Sequence, residues 1–200
     1  MKKPILLPVL TILVAAAVLL AAAFGLNGIA AANAQKDHIQ LLQTLLPGST
    51  EFTLEPYSGE DTNIRSVHKA ENGFVIETVT YGYAGDITMF VGVNNDGKVT
   101  GLVVRDLSET FGLGAEALTD VDFLAQFLNS SGSFEVVTDA PDAFSGATNE
   151  TAAVREGDTV EVDALTGATV TSKAVVRAIN SAVAYVTGAD ATSAATSWGG

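Results

Sequence analysis

The sequence has no cysteine, which excludes disulfides, cysteine-ligated iron–sulfur clusters and thiol catalysis together. It has two histidines, His38 and His68, too far apart along the chain to suggest a metal site. Any redox chemistry must therefore come from an organic cofactor. Basic residues are scarce as well, 10 Lys and Arg against 23 Asp and Glu, for a formal net charge of −13. Without Lys2 and Lys3 the remainder holds 8 basic and 23 acidic residues, a net −15. That balance argues against nucleic acid as a partner, because neutralising phosphates takes a basic face. A solvated acidic surface accounts for the charge without naming a partner.

Charge is absent altogether from Pro4 to Phe24, and the first charge after Lys3 is Lys36. A membrane-spanning helix needs roughly 20 apolar residues, so the block is long enough. Pro8 lies in its first turns, where a missing backbone donor costs least. A cleaved signal peptide has an apolar core of roughly 7–15 residues. The AAANAQ stretch before Lys36 imitates a cleavage site, but the run ahead of it is too long, which favours a retained transmembrane helix over 4–32. Lys2 and Lys3 put residues 1–3 on the cytoplasmic side. The expectation is a single-pass protein of the cell (inner) membrane, with 33–187 as an extracytoplasmic domain. The tail 188–200 is small and polar and is expected to be disordered.

Within the domain, NAQKDHIQLLQTLL (33–46) places Ile39, Leu42, Leu45 and Leu46 at helical spacing, and Pro47-Gly48 ends the run. FVIETVT (74–80) reads as a strand. ITMFVGV (87–93) and VTGLVVR (99–105) read as a hairpin turning through Asn94-Asn95-Asp96-Gly97. A short helix is predicted over 120–129, with Phe123, Leu124, Phe127 and Leu128 inward, and strands over 134–138 and 159–165. From about Thr171 to Val186, the apolar residues Val175, Ala178, Ile179, Ala182, Val183 and Val186 make one helical stripe. Strands with hairpin turns and interspersed helices predict an α+β fold, a mainly antiparallel sheet with helices packed on it.

The chemistry concentrates in DALTGATVTSKAV (163–175), a strand end, a tight glycine-containing turn, a run of hydroxyl residues and the start of the amphipathic helix. The first turn of a helix has unpaired N–H groups and a partial positive charge, which favour a phosphate. Gly167 and Ala168 let the backbone approach a bulky ligand. Thr166, Thr169, Thr171 and Ser172 gather hydroxyls at the same point. Alone, Thr-Gly-Ala-Thr is explained as well by an ordinary hydroxyl cap; the longer pattern points further. DAFSGATNET (142–151) repeats the short form and ends its Gly-Ala-Thr at Thr148, but no apolar helical stripe follows it, which favours Thr169.

D-x-x-[S/T]-G-A-T followed by x-[S/T]-S-x-A-V resembles the flavinylation motif of FMN-binding domains. Such domains occur in one subunit of the Rnf ion-translocating electron-transport complex and in a related subunit of the sodium-pumping NADH:quinone reductase. The resemblance implies that Thr169 carries FMN covalently, as a phosphoester installed by a flavin transferase, with Asp163 opening the motif. SETFGLGAE (108–116) is similar to the family's E-T-P-G-L-G loop, whose residues lie along the flavin. Glu109, Thr110, Gly112, Leu113 and Gly114 correspond, and Phe111 stands where proline is usual. YGYAGDITMFVGVNNDGKVTGLVV (81–104) looks like the hairpin before that loop.

No residue looks like a substrate-directed acid, base or nucleophile, so a one-electron relay is expected rather than a self-contained enzyme. The short chain favours the Rnf protein over its longer quinone-reductase relative. By resemblance it would then serve a membrane complex that couples ferredoxin–NAD electron transfer to ion translocation. Its partners would be the other membrane subunits. Two alternatives stay open: a stand-alone flavinylated carrier of an extracytoplasmic chain, and a noncatalytic membrane-anchored binding module whose Gly-Ala-Thr turns are mere caps.

Overall fold

The structure, a computed structural model, describes residues 15–16, 32–107, 118–137, 156–165 and 167–189. The chain divides into two units, Met1–Leu41 and Leu42–Gly200. In the first, Ala15, Ala16 and 32–41 are helical. Among the described residues no helix is long and apolar enough to cross a membrane; the expected span over 4–32 otherwise lies outside them. The helical state extends to residue 45, close to the predicted 33–46, and Ile39 of that stripe is exposed.

The second unit is built on five antiparallel strands in sequential order: β1 (Thr53–Glu55), β2 (Ile64–Ala70), β3 (Gly73–Tyr81), β4 (Asp86–Asn94) and β5 (Val99–Leu107). β3 and β4 pair without a break from Gly73↔Asn94 to Tyr81↔Asp86. The β4–β5 turn forms as its residues dictate. Gly97 takes φ 77° and donates its N–H to Asn94 O, and the Asn94 Oδ1 accepts from Asp96 and Lys98 N–H. β1 and β2 were not legible as strands. A register shift between Ile64 and Ser66 breaks the two-residue alternation of β2, and β1 is a three-residue edge.

The long helix α2 (Thr169–Thr187) covers one face of this sheet. It starts two residues earlier than predicted. Val175, Ala178, Ile179, Ala182 and Val183 of its stripe are buried with Val67, Ile76, Met89 and Val91 of the sheet. Each valine, isoleucine or methionine among them contributes about 1.5–3 kcal/mol on burial, and each alanine methyl about 0.8 kcal/mol. On the opposite face, Leu42, Leu45 and Leu46 are buried. Gly92 and Gly101 are paired across β4 and β5, and both lie against the Leu45 backbone. A Cβ on Gly92 would stand 2.1 Å from Leu45 O, so this seat requires glycine. Thr100 Oγ1 donates to Leu45 O at 2.6 Å and holds the chain there.

A second, two-stranded sheet joins β6 (Ser131–Val137) to β7 (Glu156–Asp163). Its pairing is parallel, the one parallel pair among the described strands of a fold expected to be mainly antiparallel; residues 138–155 between the two strands supply the length that a parallel return needs. Before β6, α1 (Val121–Ala125) is capped by Asp120, whose Oδ1 accepts from Phe123 N–H at 2.9 Å. The helix is shorter than the predicted 120–129. Asn129 (φ 58°) donates its N–H to Val99 O, and Ser130 O accepts from Val99 N–H, drawing the chain off the helix onto β5. Phe123 and Phe127 are buried as expected, and Leu124 and Leu128 are half-buried against the core.

Candidate functional site

The segment from Asp163 to Thr169 is held at both ends by side chains. At its start, Asp163 N–H donates to Gln126 Oε1 at 2.8 Å, and Gln126 Nε2 donates to Asp163 O at 3.4 Å. Ala164 N–H continues to Val137 O. Gln126 is buried and its carboxamide finishes the outer edge of β7 as another strand would. Nothing in the sequence pattern singled it out. A shallow concavity of about 140 Å³ lies beside it, lined by Asp120, Asp122, Phe123, Gln126 and the chain from Asp163 to Leu165.

At the other end the turn is fastened to its own helix. Ser172 Oγ accepts from Leu165 N–H at 3.2 Å and donates to Ala168 O at 3.0 Å. Ala168 N–H closes on Leu165 O, and Gly167 sits at φ 79°, a conformation that favours glycine. The Ala168 methyl is buried, so this position takes a small side chain. Ser172, which looked from sequence like one of a group of available hydroxyls, is fully buried and structural. Thr171 is buried too, at 1% exposure. Thr166 lies outside the described residues. Among the described residues of the group, Thr169 alone keeps a solvent-reachable side chain, as the first residue of α2.

The opening of α2 is chemically bare. Ala168 occupies the N-cap and no side-chain cap is made. No acidic residue stands in the first turn to repel an anion. Lys173, exposed, follows Thr169 by four residues and so lies on the same side of the helix.

The sheet brings further elements to this end. Thr80 Oγ1 donates to Ala174 O at 3.0 Å, and Thr80 pairs with Ile87, which pairs with Leu107. The end of β5 therefore lies at the same end of the sheet as the first half of α2. The segment 108–116, with the predicted Glu109, Thr110, Gly112, Leu113 and Gly114, departs from there but lies outside the described residues, as does Thr148. Arg177 Nη2 donates to Tyr81 O at 2.7 Å, and partial burial lowers its pKa below the ordinary arginine value.

Residues 82–184, just over half of the 200-residue chain, match the sequence profile of the family described as FMN-binding domain. The chain belongs to the FMN-binding domain family. A search of curated proteins found no match. The match runs from the β3–β4 turn to the last turns of α2, so it takes in the whole end of the domain just described. The donor set of this FMN-binding domain suits a phosphate-bearing flavin: an uncapped helix start, a glycine in left-handed backbone, an accessible hydroxyl and a nearby lysine. Among the described residues no group of His, Asp or Glu could hold a metal ion.

Proposed function

We propose that this FMN-binding domain carries FMN as a phosphoester on Thr169 and works as an electron carrier. The observation that carries the reading is the selection among hydroxyls: Thr171 and Ser172 are buried, whereas Thr169 is reachable at an uncapped helix start. The chain's residues bind and orient the cofactor, which supplies the redox chemistry. Asp163, Thr166, Gly167, Ala168 and Thr171 shape the attachment turn. Glu109, Thr110, Gly112, Leu113 and Gly114 belong beside the flavin ring in this reading, Leu113 and the glycines as an apolar wall. A covalent link suits a protein outside the cytoplasm, where a dissociated flavin is lost by dilution.

The motif resemblance further supports a role like that of the FMN-binding-domain protein of the Rnf complex. In this role the 4–32 segment anchors the chain in the cell membrane, 33–187 faces out of the cytoplasm, and other membrane subunits are its partners. Full-length protein co-expressed with a flavin transferase is expected to fluoresce in a denaturing gel and to gain one FMN in intact mass. Thr169→Val is expected to lose both signals. Loss in Thr148→Val instead overturns the site, and an unmodified mass in the wild type overturns the covalent reading. Native membranes are expected to yield the chain together with Rnf-type subunits; purification without them points to the stand-alone carrier.

A further inference from the structure

α2 is a helix without carboxylates in an acidic protein. The chain holds 23 Asp and Glu against 10 Lys and Arg, yet no acidic residue falls between Thr169 and Thr187. Two cations do, Lys173 and Arg177. From Thr169 to Asn180 only Thr169, Val170, Lys173 and Arg177 are not buried, so the first half of the helix shows solvent a narrow strip. Thr169, Lys173 and Arg177 follow one another along it at four-residue steps, each a neighbour of the next.

The two cations are engaged differently. Arg177 Nη2 donates to Tyr81 O at 2.7 Å, which ties the guanidinium to the end of β3. Lys173 is exposed and, among the described residues, forms no ion pair and no hydrogen bond. No carboxylate stands three or four residues from it on either side along the helix.

Helical side chains lean towards the N-terminus, so Lys173 reaches back over the turn that begins with Thr169. The Cβ atoms of such a pair lie about 5–6 Å apart, well within the length of a lysine stem. Left bare, this is an unfavourable place for a cation, because the unpaired N–H groups of the helix opening already carry partial positive charge. An anion on Thr169 reverses the sign, since helix opening and ammonium then both attract it.

We propose that Lys173 holds the phosphate of the FMN esterified to Thr169, as the counter-ion that fixes the tether against α2, a role that rests on the Thr169 reading above. A phosphodiester stays anionic at neutral pH, and a lysine meets it as a flexible point charge. Lys173 is a positioning residue here: it touches the phosphate and sets where the tether leaves the helix.

The test compares full-length protein made with and without a flavin transferase, with FMN on Thr169 checked by peptide mass. Both forms are unfolded in urea at low salt. Without flavin, Lys173→Gln is expected to unfold at the wild-type midpoint or slightly above it. With flavin, the same variant is expected to lose roughly twofold to fivefold in its folded-to-unfolded ratio, the size of an exposed ion pair. Lys173→Arg is expected to keep the wild-type value. Salt at about 1 M is expected to erase the difference, because screening then acts within about 3 Å. The phosphorus NMR resonance of the tether should move in Lys173→Gln and hold its place in Lys173→Arg. A Lys173→Gln deficit of the same size with and without flavin, or no deficit in either, overturns this proposal alone when FMN is on Thr169. A wild type without flavin on Thr169 overturns both readings.

Discussion

The two ends of α2 are finished in opposite ways. Its C-terminus is closed: Gly188 at φ 71° returns its N–H to Ala184 O, and Tyr185 packs edge-on against both Tyr57 and Phe74. Its N-terminus carries no side-chain cap and begins with an accessible threonine. A helix whose sole task was structural would gain about 0.5–2 kcal/mol from a capping hydroxyl or carboxylate at that position. The bare opening, beside a turn braced by Ser172 and Gln126, lacks that contribution.

The two buried carboxamides let this contrast be broken from either side. Asn180, deep in the helix, accepts from Phe134 N–H and donates to Phe134 O, both at 2.8 Å. It finishes the outer edge of β6 as Gln126 finishes that of β7. Asn180→Leu strands a buried donor and a buried acceptor, each costing about 1–3 kcal/mol. A loss of about 2–5 kcal/mol in urea unfolding is expected, the largest effect among these variants, with flavin attachment per folded chain unchanged. A loss below about 0.5 kcal/mol would show that water replaces the carboxamide there.

Gly92→Ala comes next. The added methyl meets backbone atoms, Leu45 O at 2.1 Å and Leu45 C at 2.8 Å, which cannot swing aside as a flexible side chain would. Overpacking of this kind costs about 1–3 kcal/mol. Gly101→Ala meets the same residue at 2.9 Å and should cost less. The double variant should fall short of the sum in thermal melts, because one displaced segment relieves both clashes.

Gln126→Leu sharpens the contrast most directly. Asp163 is half-buried, so water can reach its freed backbone groups, and the stability loss should be about 1 kcal/mol. Attachment should suffer more than stability, since the start of the motif is no longer fixed. Timed sampling of in-gel flavin fluorescence is expected to show slower labelling than in Asn180→Leu. Equal rates would mean that Gln126 serves stability alone.

These residues also mark the limit of what the sequence makes legible. The stripe of α2, the β4–β5 hairpin with its Asp96-Gly97 turn, and the strand at β3 follow from local periodicity, which tertiary packing here reinforces. Gln126 and Asn180 were invisible because a carboxamide within an apolar pattern looks solvent-facing until the strand edge that it completes is in place. The parallel pairing of β6 and β7 was hidden for a similar reason, being a tertiary choice rather than a local one. At the turn before α2, residue types alone offered the hydroxyls as a group, and the family resemblance singled out Thr169. Burial separates them, since the chain must use Ser172 to tie Leu165 to Ala168.

The closed end of α2 offers the smallest and cleanest test. Burial holds the Tyr185 pKa above the ordinary 10.0, and the nearby Glu55 carboxylate and Tyr57 push the same way against the opposing Lys69. The folded state therefore keeps this proton longer than the unfolded chain does. Its contribution to stability is complete below pH 10.0 and is lost as pH rises through the folded-state value, because the unfolded chain ionises first. Urea midpoints of the wild type should fall more steeply above that pH than those of Tyr185→Phe, with the two curves parallel below it. Subtracting the variant removes the lysine titrations that share this range. The difference should be small, since the ring is only partly buried and solvent screens its neighbours. Curves parallel throughout would mean that the phenol at this closed end is as well solvated as in the unfolded chain, and the contrast between the two ends of α2 would then rest on backbone capping alone.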